Sequence, residues 1–184
     1  VLAQFSSIGI RRVIVRFFPF FRDVENKGHH GFLILMSAIP ALGFLVGVLI
    51  FFLFKGEIVN SQADSDLFGE YVFLIPLAGF LTLYFWVLDS HLKALIRTSL
   101  SSFLSNVVLK LLWLIWALLY YFKVLDLDSF MLLYFSSHAF LLIIQIISLF
   151  HSGELNIQWD KQYLRLRVVK RVIYFGFFSI IDDA

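Results

Sequence analysis

The sequence predicts an all-α integral membrane protein: a helical bundle with four complete spans and both ends on one side of the bilayer. Three observations predict it: the composition, four long apolar runs, and basic residues that alternate between connections. Of the 184 residues, 60% are hydrophobic and 15% charged, and Phe alone supplies 23. A soluble domain carries roughly 45–50% apolar and about 25% charged residues. A mean hydropathy of +0.88 therefore needs hydrocarbon as solvent, not merely a core. Cysteine is absent, which excludes disulfides, thiolate catalysis and thiolate metal sites.

The runs come in order. Residues 32–54 carry no charge. A helix rising about 1.5 Å per residue needs roughly 20 residues to cross the hydrocarbon core, so this run can span. Residues 71–88 form a second uncharged run, whose helical pattern continues through Asp89 toward Ile96. Residues 111–122 are uncharged and reach spanning length with the apolar residues from Val107 to Leu125. Residues 130–150 form the fourth. Barrel strands are roughly 9–11 residues with alternating polarity, so these continuous runs exclude a barrel. Two partial segments flank the spans. Residues 1–21 are apolar but hold Arg11, Arg12 and Arg16, and read as a span emerging into the headgroups and stopped by Pro19. Residues 172–181 are too short to cross and end in Asp182-Asp183. The chain opens without Met or a basic n-region, so its start is not a secretory signal, and both ends read as cut from a longer protein.

Orientation follows from Lys and Arg. Arg11, Arg12, Arg16, Arg22 and Lys27 precede the first run, and Lys55 alone follows it. Lys93, Arg97 and Lys110 lie around the second connection, and Lys123 alone in the third. Lys161, Arg165, Arg167, Lys170 and Arg171 follow the fourth run. Basic residues near span ends stay cytoplasmic. Residues 1–31 and 151–171 are therefore expected on the cytoplasmic side, and the loop around residues 62–66 outside. The basic connection beside a span suits anionic lipid at the cytoplasmic face, not nucleic acid.

Several residues could carry function. Arg12 and Arg16, four apart, share a helix face, with Arg11 about 100° away. A guanidinium fork matches phosphate oxygens two at a time, so the three could bind a phosphate-bearing headgroup, or anchor a helix end by snorkelling. Thr82, Trp86, Asp89 and Lys93 fall on one face. Asp89 and Lys93 could line an aqueous cavity or relay a proton, or form a simple intrahelical pair. Tyr134, His138, Gln145 and Ser148 share a face that should turn into the bundle, since lipid offers no partner. His138 is either a neutral hydrogen-bonded histidine or a titrating one. Gly43 and Gly47 permit close helix approach, and Pro40 and Pro76 can kink their helices. His29-His30 reads as a solvated turn. No nucleophile elbow, zinc-protease motif or phosphate loop is present, so no catalytic site, metal or cofactor is expected, and the chain is not read as an enzyme.

The order of features resembles bacterial polysaccharide flippases of the multidrug/oligosaccharidyl-lipid/polysaccharide exporter superfamily. Ser7-Ile8-Gly9-Ile10 followed by Ile14-Val15-Arg16-Phe17-Phe18-Pro19 looks like the end of that family's second helix, and Gly31-Phe32 like the opening of its third. Leu88-Asp89-Ser90 through Leu95-Ile96-Arg97-Thr98 is similar to the acidic end of helix four and its continuation. Phe103-Leu104 with Leu109-Lys110-Leu111 resembles the start of helix five, and Tyr174-Phe175-Gly176-Phe177-Phe178-Ser179 that of helix seven. Asn106 departs from the family, which often has an acid there, and Asp182-Asp183 is acidic for the interior of helix seven.

The resemblance implies part of the first six-helix lobe of a two-lobe exporter fold. Residues 1–150 would hold the end of helix two and helices three to six. Residues 151–171 would form a basic cytoplasmic connection, and residues 172–184 the start of helix seven. It also implies a function: carrying an undecaprenyl-diphosphate-linked oligosaccharide from the inner to the outer leaflet of a bacterial inner membrane for surface polysaccharide. Arg16, then Arg12 and Arg11, would contact the lipid-linked diphosphate, while Asp89, Lys93, His138 and Gln145 would line the cavity or couple an ion. A drug exporter of the same superfamily, or a membrane anchor or assembly subunit, are the rival readings.

Overall fold

The structure, a computed structural model, describes residues 9–23, 29–61, 66–95, 97–154 and 166–182. The expected connections at residues 25–28, 62–65 and 156–162 lie outside the described residues. Among those described, all regular structure is helical. Helix α1 (Ile10–Phe21) precedes the first long helix, α2 (Phe32–Leu53). Two short helices follow, α3 (Lys55–Ser61) and α4 (Asp66–Tyr71), then α5 (Leu74–Ala94). The next helix is continuous in three parts: α6 (Thr98–Phe103), a π-helical turn (Leu104–Val108) and α7 (Leu109–Tyr121). Helices α8 (Leu127–His151) and α9 (Leu166–Asp182) complete the order. Four stretches are long and apolar enough to cross a membrane: α2, α5, the composite helix Thr98–Tyr121 and α8.

The spans differ from expectation mainly at their ends. The third begins at Thr98, nine residues before Val107, so Lys110 lies within it and Arg97 is left alone in the tight connection from α5. The second begins at Leu74, because Tyr71 closes the separate helix α4. Pro76 thereby falls in the first turn of α5, where backbone N–H groups have no helical partner and a proline removes nothing. Pro40 does lie inside α2, and Pro19 lies inside α1, which runs on to Phe21 instead of stopping.

Helix α5 is central. Of its most apolar stretch 44% is buried, against 11% for Thr98–Tyr121. On α1, Ile10, Val13, Ile14, Phe18 and Phe21 repeat at helical spacing and form one buried face,. That face joins Phe32 and Met36 of α2 and Leu88 and Leu92 of α5 in one core. Aromatic pairs tighten the corner, with Phe21 and Phe32 centroids 4.8 Å apart. Tyr84 of α5 donates to the Ser37 carbonyl of α2 at 3.3 Å. Helix α7 meets α8 through Trp116, whose Nε1 donates to Ser137 Oγ at 3.2 Å, and through the stack of Trp113 on Tyr134. The outer surface of α2 is apolar: Leu42, Leu45, Leu49 and Leu53 are each more than 60% exposed. Such a continuous face calls for lipid or another helix.

Candidate functional site

Two polar clusters meet the end of α5 that carries Asp89, Ser90, His91 and Lys93. The first is a groove between α1 and α5. Arg11, Arg12, Val15, Arg16, Ser90 and Lys93 line an open cavity of 550 Å³. Four of its six lining residues are cations and none is acidic. The buried face of α1 explains the arrangement: docking Val13, Ile14 and Phe18 into the core turns Arg11, Arg12 and Arg16 outward together. Aromatic rings flank two of them. Arg16 Cζ stands 4.4 Å from the ring centroid of Phe175 on α9, and Arg11 Cζ stands 5.7 Å from that of Trp86 on α5. A guanidinium over a ring gains cation–π attraction while its in-plane N–H fork stays available to an anion.

Lys93 is held from below. Its Nζ donates to Asp89 Oδ2 at 2.7 Å, the orientation favoured for a pair four residues apart,. Asp89 is 2% exposed and accepts a second hydrogen bond, from the hydroxyl of buried Ser101 on α6. The carboxylate thus fixes Lys93 at the groove and ties the third span to the second. Asp89 does not itself line the groove.

The second cluster corrects the reading of His29-His30 as a solvated turn. His30 and Gly31 both take left-handed backbone, with φ of 43° and 80°. Phe32 N–H closes the turn on the His29 carbonyl at 2.7 Å. This geometry drives the His29 ring inward, where it is fully buried against Phe18 and His91. Its Nε2 lies 2.9 Å from Oε2 of Glu154, just beyond α8, and Arg22 Nη2 lies 3.7 Å from Oε1 of the same carboxylate. Burial lowers the His29 pKa below its ordinary value, more than Glu154 raises it, and Arg22 lowers it further.

The remaining candidates lie elsewhere. His138 is half-buried between the rings of Phe85 and Trp113. Gln145 is fully buried, with neither side-chain polar atom hydrogen-bonded among the described residues. Ser148 of the same face is 3.5 Å from Arg97 Nη1, which donates to it. None of the three lines the arginine groove. Sequence reasoning did not anticipate Ser101, Phe175, Trp86 or Glu154 as partners of the charged groups. Trp86 alone carried a signal, its three-residue spacing from Asp89. Comparison with protein-family models, curated proteins and solved structures finds no match to this chain.

Proposed function

We propose that the chain belongs to an exporter that moves a lipid-linked oligosaccharide diphosphate across a bacterial inner membrane, for assembly of surface polysaccharide. The supporting observation is the groove, where Arg11, Arg12, Arg16 and Lys93 converge beside a set of spanning helices. No covalent chemistry is required. The obstacle is a diphosphate bearing sugars, which hydrocarbon excludes, and a cationic cavity replaces the water it loses. Bidentate guanidinium contacts supply the strong hydrogen bonds that a phosphate accepts. In this reading Arg16 and Arg12 lead, Arg11 and Lys93 complete the field, and the groove is one wall of a cavity between two lobes. Alternating access would open it to each side in turn.

The groove disfavours the drug-exporter reading, since an organic cation needs acids and Asp89 is engaged by Lys93 and Ser101. An anchor would need no such convergence of charge. The deciding experiment places the intact protein in liposomes with a polyprenyl-diphosphate oligosaccharide. Flipping is read as the glycan fraction open to an impermeant glycosidase. The expected result is faster exposure than in protein-free liposomes. Folded protein that flips no glycan lipid but transports ethidium would overturn the proposal in favour of drug export.

A further inference from the structure

The third span carries a polar ladder on its exposed surface. Thr98, Ser102, Asn106 and Lys110 recur every four residues, and all four are exposed. One residue further on, Phe103, Val107 and Leu111 make an exposed apolar strip. On the ladder's other side Ser101, Leu104 and Leu109 are buried against the bundle. The exposed half of this helix therefore presents two surfaces of opposite character side by side.

The backbone keeps the ladder straight. In a regular α-helix a four-residue repeat drifts by about 40° per step. The π-helical turn at Leu104–Val108, closed by Leu109 N–H on the Leu104 carbonyl, takes in an extra residue and winds that drift back,. Ser105 supplies a local cause. Its hydroxyl donates to the Ser101 and Ser102 carbonyls at 3.0 and 3.3 Å, competing with backbone amides for them,.

Depth gives the ladder its meaning. Lys110 stands about 18 Å along the helix from Thr98 and about 17 Å from Tyr121 at 1.5 Å per residue. The hydrocarbon core is about 30 Å thick, so Lys110 is far from either surface, beyond the helix-end positions from which lysines snorkel. Among the described residues no acid pairs with it. An ammonium facing lipid at that depth is strongly disfavoured, and such groups turn to water-filled cavities. We infer that the Ser102–Asn106–Lys110 face lines a hydrated path through the middle of the membrane, and that Lys110 makes this path favour anionic solutes. A fixed cation between low-dielectric walls raises the local concentration of anions. No particular cargo is required, so the inference stands or falls apart from the flippase reading.

Single cysteines test it in the intact protein, in its membrane, with any cysteine outside this chain replaced; the chain itself has none. Ser102→Cys and Asn106→Cys are compared with Phe103→Cys, Val107→Cys and Leu111→Cys, using an anionic and a cationic methanethiosulfonate of similar size. The ladder positions should label at least about tenfold faster than the strip, and faster with the anionic reagent. Adding Lys110→Gln should erase the anionic preference. Equal rates on the two surfaces, or faster labelling of the strip, would overturn the hydrated path. Fast labelling without anionic preference would overturn the role of Lys110. Lys110→Leu gives an independent reading, because facing lipid it would raise the thermal midpoint of the protein. Such a rise would also overturn the inference; the expected midpoint is unchanged or lower.

Discussion

His29 Nε2 lies 2.9 Å from Glu154 Oε2, joining the turn before the first span to the residues just after the fourth. The contact becomes an ion pair only when the imidazole is protonated. His91 on α5 and Phe18 on α1 close the remaining sides of the ring, and Arg22 approaches the same carboxylate. Burial holds the folded His29 pKa below 6.5, while the unfolded chain titrates near that value. Between the two values the unfolded state binds more protons, so stability rises with pH there. The contribution is complete above about pH 6.5 and is lost as pH falls through the lowered folded pKa. The thermal midpoint of the purified intact protein should therefore drop on acidification below pH 6.5. His29→Gln should flatten that drop. An unchanged acid slope in His29→Gln would remove His29 as its cause.

Arg22 belongs to stability rather than to the groove. Its pair with Glu154 is 3.7 Å long and its side chain is 31% exposed, so solvent screens it,. Arg22→Ala should cost about 0.5–1 kcal/mol, in the range of partly exposed pairs, and leave export per folded molecule unchanged. Unfolding in denaturing detergent measures the first, and export normalised to membrane abundance the second. A loss of normalised export would place Arg22 with the site.

The Asp89–Lys93 pair should show strong coupling. Lys93→Met leaves a carboxylate that is 2% exposed and still accepts the Ser101 hydroxyl, but has lost its counter-charge. Breaking a buried pair costs about 3–5 kcal/mol, and the partly exposed ammonium moves the expectation toward the lower end. Asp89→Asn combined with Lys93→Met should cost clearly less than the two single changes added together. Ser101→Ala should cost about 1.5–3 kcal/mol, as for a hydrogen bond to a charged group. Strictly additive costs would show that the carboxylate and ammonium do not act as a unit.

Long-range order was legible where periodicity and solvent alone decide it. The four runs became helices of spanning length, and the four-residue spacing from Asp89 to Lys93 became an ion pair. What escaped depends on packing between distant segments. His29 looked solvated because its neighbours are glycine and histidine, and nothing local reveals that Glu154 and His91 meet it. The third span began earlier than expected because Thr98 to Asn106 is polar, and hydropathy sees no helix facing two environments. The groove was half legible: spacing put Arg12 and Arg16 on one face, while Arg11 and Lys93 joined them only through the packing of α1 on α5.

Topology can be checked at described positions. Val124 is exposed between α7 and α8, and His151 is exposed at the far end of α8. Tyr71 donates a hydrogen bond to Asp128, tying α4 to the same end as Val124, and the interaction holds the tyrosine pKa up to about 12. The five basic residues before the first span and the five after the fourth predict that the Val124 end lies outside,. Val124→Cys should react with an impermeant thiol reagent on intact cells, and His151→Cys only after permeabilisation. The opposite pattern would invert the topology.

Arg16 gives the sharpest test of the site. Its guanidinium sits over Phe175 and opens on the groove. If it grips a diphosphate, Arg16→Ala should reduce export at least about tenfold, the loss of one charge-assisted contact, with membrane abundance unchanged. Arg16→Lys keeps the charge but loses the planar fork and the ring contact, so it should recover only part of the activity. If Arg16 serves only to orient the chain, lysine should substitute fully, because the inside rule counts both residues alike. Phe175→Leu separates ring from fork. It removes the surface over which the guanidinium lies while leaving charge and hydrogen bonds intact, and should lower export less than Arg16→Ala. Lys55→Ala, an exposed charge beyond the end of α2 remote from α1, is the control. Complementation of export, normalised to protein in the membrane, reads every variant. Full activity of Arg16→Ala at normal abundance would remove Arg16 from the site and leave the cationic groove without its central residue.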